Sequence, residues 1–195
     1  MRITKTAALL LFALGTTAAH AADAISASTP APTTGFGKNA ARWEARLGGG
    51  GYDVGPFTPD TFTGGTVNGE ILAPSFDFLS FLGAPRPYIG TDIAISKDPI
   101  NAFYAGFNWE YYLTERVSLG FSAGGAIMSD TEKRNEQGET RDLGSRVLFH
   151  LQASAGYDFT PNLGAQIYLN HFSNANLADS NDGLESTGAR LVWRF

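Results

Sequence analysis

The sequence predicts an all-β fold: an eight-stranded antiparallel transmembrane β-barrel of the outer-membrane type. Three observations carry that expectation. The chain opens with an export signal. Past the signal, no apolar run approaches the about 18 residues of a transmembrane helix. From Arg42 onward apolar and polar residues alternate with the period of two that marks strands. Aromatic residues reach 12% and glycine 23 positions, whereas only 17% of the chain is charged, a balance suited to strands with one face in lipid.

Taken in order, residues 1–21 read as a signal peptide. Arg2 and Lys5 form its positive start, Ala7 to Gly15 its apolar core, and Ala19-His20-Ala21 the cleavage site. Residues 22–40 read as an N-terminal periplasmic segment. Its stretch from Ala22 to Lys38 is rich in Ala, Ser, Thr and Pro, lacks periodicity, and is expected to be mobile or loosely packed. Residues 41–195 then form the barrel domain, with strand segments near 42–53, 65–73, 87–96, 102–113, 117–128, 144–159, 163–173 and 185–195. Each is close to the ~9–11 residues with which a tilted strand crosses a bilayer.

Phe103 to Leu113 shows the alternation most clearly: Phe103, Ala105, Phe107, Trp109, Tyr111 and Leu113 point one way, and Tyr104, Gly106, Asn108, Glu110 and Tyr112 the other. Connections at 114–116 and 160–162 are short, whereas 129–142 and 174–184 are long and polar, as periplasmic turns and outer loops are. Pro74 to Pro85 breaks the pattern and reads as a short helix or packed periplasmic loop. The chain ends on Phe195 after alternating apolar residues, which resembles the signature by which outer-membrane barrels are recognised for assembly.

Composition excludes several functions. A net charge of −5, more acidic still once Arg2 and Lys5 leave with the signal, argues against nucleic acid as partner. With no cysteine there is neither disulfide nor thiolate chemistry. Only His150 and His171 remain past the signal, too few for a zinc site, and no cofactor is expected. The polar face carries Arg42, Glu44, Arg46, Glu70, Asp92, Glu110, Arg146, Arg190 and Arg194. Eight strands leave a lumen just wide enough for side chains to fill, so these read as a packed ion network rather than a pore. His150 has the same inward parity and reads as structural.

Strand parity turns unusual at one place. In the seventh segment Leu163, Ala165, Ile167 and Leu169 face lipid, and the same parity continues to His171 and Ser173; Glu185 shares it on the eighth. Polar groups on a lipid face are costly and call for an explanation. Residues i and i+2 stand about 6.8 Å apart on one side of a strand. His171 can therefore act as base for a weakly nucleophilic Ser173 hydroxyl, while Glu185 orients the imidazole. Asn174, Asn176 and Asn181, or loop N–H groups, can supply an oxyanion hole. The plainer alternative is that His171 and Ser173 begin an exposed loop at the rim.

The run His171 to Ser186 (HFSNANLADSNDGLES) resembles the signature of the lipid A 3-O-deacylases (PagL): H-x-S-N-A, a short loop, then N-D-G-hydrophobic-E-S. The resemblance implies an outer-membrane esterase that removes a 3-O-linked 3-hydroxyacyl chain from lipid A of lipopolysaccharide in the outer leaflet. His171 would be its base, Ser173 its nucleophile, Glu185 the orienting group, and Asn181 the oxyanion residue. Asn176 stands where the family pattern has glycine, which puts the oxyanion geometry in question. Lys133, Arg134 and Arg141 of the long loop could touch sugar phosphates, or form an ordinary solvated face. Two other readings are an outer-membrane phospholipase and a non-catalytic structural or adhesive barrel. The sequence leaves a homodimer open.

Overall fold

The structure is a computed structural model describing residues 32–58, 64–134 and 140–195. The expected signal peptide and the first part of the segment that follows it lie outside these residues. Eight strands form the barrel: β1 Glu44–Tyr52, β2 Gly64–Leu72, β3 Arg86–Ser96, β4 Ala102–Tyr112, β5 Val117–Met128, β6 Val147–Asp158, β7 Leu163–Ser173 and β8 Leu184–Arg194. Each pairs antiparallel with its sequence neighbours. The pairing of β8 with β1, from Arg194↔Glu44 to Ser186↔Tyr52, closes the ring and leaves no barrel strand with a free edge. Backbone groups are thus paired as a membrane interior demands.

Period-two patterning sorts side chains as expected. Leu47, Ile89, Phe103, Phe121, Ile167 and Leu191 lie exposed on the outer wall, while Glu44, Arg46, Glu70, Arg190 and Arg194 are buried in the lumen. Glu44 accepts from Arg46 Nε at 2.5 Å, from Arg194 Nε at 2.6 Å and from Arg86 at 3.2 Å. Glu70 pairs with Arg46 at 3.1 Å and Arg190 at 2.8 Å, and Arg194 also reaches Asp158 at 2.7 Å. Asp92 is held by Asn68, Asn170 and Ser186. Opposite charges hydrogen-bonded in this way make burial tolerable.

Two expected lumen residues lie beyond the strand ends. Arg42 is half-buried and donates to Pro161 O and Asn162 Oδ1 in the β6–β7 turn, and Arg146 is exposed at the opposite rim. The lumen is not polar throughout: toward the end bearing the long loops it closes over an apolar cluster that includes Tyr52, Ile100, Met128, Leu143, Leu148 and Phe172. His150 sits beneath, buried, against Tyr88 Oη at 2.7 Å and Asn170 Oδ1 at 3.1 Å, with its ring stacked on Phe172.

The described end of the N-terminal segment does not hang free. Gly35–Phe36 pairs with Tyr112 and Tyr111 at the foot of β4, and Asn39 Nδ2 donates to Tyr112 Oη at 2.7 Å. The Pro74–Pro85 stretch contains a 3₁₀ helix, Asp77–Leu82. At the other end, the β5–β6 connection carries a small hairpin, Glu132–Arg134 against Thr140–Asp142. Lys133 and Arg141 from that hairpin both ion-pair with Asp53, just past β1, so these two side chains bind within the protein rather than forming a solvated face.

Candidate functional site

The antiparallel register of β7 and β8 sets His171 directly opposite Glu185. His171 Nδ1 lies 3.1 Å from Glu185 Oε1. An ionised carboxylate only accepts, so this contact assigns the proton to Nδ1 and leaves the Nε2 lone pair free to act as base. Ser173 shares the outward face of β7 two residues on, half-buried. Among the described residues no hydrogen bond joins Ser173 Oγ to His171.

Glu185 has outward parity yet is fully buried, because the segment after β1 folds over it. Glu185 Oε2 accepts from Phe57 N, Thr58 N and Thr58 Oγ1, each at 3.0 Å. Gly55 makes the close approach possible, since a methyl group there would overlap the Glu185 carboxylate. The segment is tethered at Thr187 Oγ1, which donates to Val54 O at 2.7 Å, and at the ion pairs of Asp53. The Phe57 ring meets the His171 ring edge-on at 5.5 Å. Parity did not reveal Phe57 and Thr58, whose partner lies 128 and 127 residues away.

The three asparagines hold one another and the loop. Asn174 N donates to Asn181 Oδ1 at 2.8 Å, and Asn181 Nδ2 donates to Asn176 Oδ1 at 3.1 Å. Asn174 is buried, and its Nδ2 donates to Leu143 O at 2.9 Å and Ser180 O at 2.5 Å. With both amide protons engaged, the Asn174 side chain braces the loop against the β5–β6 connection. Asp142 adds to that brace through Ser180 Oγ and the Asp182 carboxylate.

Ala175 and Asn176 have φ of 54° and 60°, and Leu177 N donates to Asn174 O at 3.1 Å. Two successive left-handed residues make a type I′ turn, which Asn tolerates. Asn176 therefore meets the backbone requirement that glycine would meet. Asn176→Gly is expected to change stability by no more than ~0.5 kcal/mol, whereas Asn176→Val, β-branched in the left-handed region, should cost roughly 1–2 kcal/mol. Denaturant unfolding of the refolded barrel checks both. The Ala175 and Asn176 N–H groups have no hydrogen-bond partner among the described residues, and both residues are exposed.

Beside His171 the outer wall holds an apolar groove of about 460 Å³, lined by Phe57, Phe121, Leu151, Ala153 and Leu169. Register explains it: Ala153 lies between Phe121 and Leu169 in adjacent strands, a small side chain between two large ones. Among the described residues no cluster of three or more His, Asp or Glu side chains could hold a metal ion.

Comparison with known proteins bears on the fold and the family. The chain is similar to the outer-membrane enzyme PagL, whose crystal structure superposes with a TM-score of 0.51 at 20% identity, over 78% of this chain and 99% of that one. It is also similar to the N-terminal β-barrel domain of Pseudomonas aeruginosa OprF, with a TM-score of 0.54 at 14% identity over 80% and 98% of the two chains. Neisserial surface protein A gives 0.51 at 9% identity over 80% and 97%. These likenesses show the fold: a closed eight-stranded barrel of the outer-membrane type. No curated protein sequence matches. The family model described as "Lipid A 3-O-deacylase (PagL)" matches residues 38–194, nearly the whole barrel, and the chain accordingly belongs to the lipid A 3-O-deacylase (PagL) family of the outer membrane.

Proposed function

We propose that this protein is a serine esterase that removes the 3-O-linked 3-hydroxyacyl chain from lipid A, with Ser173 as nucleophile, His171 as general base and Glu185 as orienting carboxylate. The observation that carries the reading is the His171 Nδ1–Glu185 Oε1 contact at 3.1 Å on the lipid-facing wall, two residues from a serine. His171 Nε2 takes the Ser173 proton as Oγ attacks the ester carbonyl, and Glu185 stabilises the imidazolium that results. The same imidazolium then protonates the departing sugar oxygen as its bond to the acyl carbon breaks, leaving the free sugar hydroxyl and the acyl-enzyme. Water, activated by His171, hydrolyses the acyl-enzyme and releases the 3-hydroxy fatty acid. Catalytic hydrogen bonds often tighten only with substrate in place, so the missing Ser173–His171 bond is compatible with this order of events.

The freely exposed N–H groups of Ala175 and Asn176 follow the nucleophile directly and are suited to receive the oxyanion, together with the remaining amide proton of Asn181. Asn174 acts through its brace on the loop. The groove beside His171 accepts an acyl chain from a substrate already in the bilayer. The outer-leaflet level of the site favours lipopolysaccharide over periplasmic-leaflet phospholipid.

In this mechanism Thr58 is a positioning residue. Thr58→Val removes one of three donors from Glu185 Oε2 while keeping the backbone N–H. The loss should be about 1 kcal/mol, or roughly fivefold in kcat with KM little changed. Steady-state kinetics on the refolded protein separates the two constants.

Substrate class is tested with refolded protein in mixed micelles containing either lipopolysaccharide or phosphatidylethanolamine. Free 3-hydroxy fatty acid from lipopolysaccharide alone is the expected result. Fatty acid released only from phosphatidylethanolamine would overturn the lipid A assignment in favour of a phospholipase.

A further inference from the structure

At the barrel end opposite the candidate site, the β2–β3 connection carries the helix Asp77–Leu82, and none of its residues is buried. Phe78 is 70% exposed and Phe81 80%, with Phe76 and Leu82 near one half. Short polar turns suffice at this end elsewhere, at 114–116 and 160–162. An exposed aromatic cluster in this one connection needs a partner.

The described end of the N-terminal segment lies beside this connection. Gly35–Phe36 occupies the edge of β4 opposite Tyr112 and Tyr111, below the point where Arg86 of β3 meets Asn108. Gly35–Phe36 thus takes that edge, and residues 73–85 do not pair along it. Trp109, on the lipid-facing side of β4, donates from Nε1 to Leu82 O at 3.0 Å. Gly83 follows with φ of 87° against the Phe36 ring. The helix is therefore continuous with the surface that contacts lipid.

Its periodicity separates polar from aromatic groups. Three residues per turn put Phe78 and Phe81 on one face, Asp77 and Ser80 on a second, and Leu79 and Leu82 on the third. Phe76 stacks on Phe78 at 5.5 Å and extends the aromatic face. Exposed Trp43, Tyr157, Trp193 and Phe195 stand at the same end of the barrel and mark the membrane–water boundary.

We propose that Phe76–Leu82 is an interfacial anchor, with the Phe78 and Phe81 rings inserted among the phospholipid acyl chains of the periplasmic leaflet and Asp77 and Ser80 at the headgroups. It fixes the height of the barrel in the bilayer at the end where the loops are otherwise short. A helix of this kind binds by apolar area lying in the plane of the interface.

The chain has no cysteine, so single-cysteine labelling is unambiguous. Phe78→Cys, Phe81→Cys and, as an outer-rim control, Asp130→Cys are each labelled with an environment-sensitive fluorophore. The full-length proteins are refolded into phosphatidylethanolamine–phosphatidylglycerol vesicles, and folding is confirmed by heat-modifiable electrophoretic mobility. At positions 78 and 81 the expected result is blue-shifted emission, at least about twofold more quenching by a shallow acyl-chain nitroxide than at 130, and protection from aqueous iodide. Two positions guard against one variant failing to fold. Iodide quenching at 78 and 81 equal to that at 130 would overturn the proposal. So would protection that disappears on dilution of protein in lipid, which would assign the face to a second copy of the chain.

Discussion

Replacing His171 by alanine is expected to lower kcat for lipid A deacylation by about 10⁴ or more while leaving the barrel folded, because base and nucleophile fail together when either is removed. The side chain is only partly buried and belongs to no lumen network, so little stability is at stake. Glu185→Ala should cost less kcat than His171→Ala, since the orienting carboxylate acts only through the imidazole. It should also cost stability, because its removal leaves the Phe57 and Thr58 N–H groups without their acceptor. Kinetics and denaturant midpoints on the same preparations distinguish the two variants. Comparable activity in wild type and His171→Ala would remove His171 from the mechanism.

The second large effect is on stability. Glu44 is fully buried at the centre of Arg46, Arg86 and Arg194. Glu44→Ala leaves three guanidinium groups without their shared carboxylate, and breaking a buried pair from one side costs roughly 3–5 kcal/mol. The expected outcome is a lower urea midpoint and earlier loss of the heat-modifiable compact form. Specific activity of the folded fraction should hold, because Glu44 lies at the foot of β1 and the candidate site at the rim of β7 and β8. An unchanged midpoint would mean that the lumen network contributes nothing to stability.

How far the sequence disclosed this molecule follows from which interactions are local. Strand segments were legible because lipid on one side and a narrow lumen on the other enforce period two along every strand. The observed β4, β5 and β7 coincide with their expected ranges to within a residue. His171 and Ser173 were legible by the same rule, as polar groups continuing an apolar parity.

Long-range contacts were not legible. Burial of Glu185 depends on Phe57 and Thr58 arriving from another part of the chain. Arg86 joins the network around Glu44, although the adjacent Pro87 and the irregular stretch before it obscured its inward parity. Arg42 and Arg146 kept the right parity but fell beyond the paired strands. Lys133 and Arg141 looked like ordinary loop charges until the hairpin carrying them met Asp53. Among the asparagines, residue type suggested oxyanion donors, whereas the hydrogen bonds show Asn174 engaged in bracing the loop. At Asn176 the left-handed φ of 60° is one that asparagine tolerates as glycine does, a conformation that residue type alone did not disclose.

The most direct test is mass spectrometry of lipid A from cells producing this protein, beside cells producing Ser173→Ala at equal level in the outer membrane. The expected result is loss of one 3-hydroxyacyl group from lipid A with the wild type and unaltered lipid A with the variant. Unaltered lipid A in both, with folded protein in the membrane, would contradict the assigned activity, and deacylation persisting in the variant would contradict the assigned nucleophile.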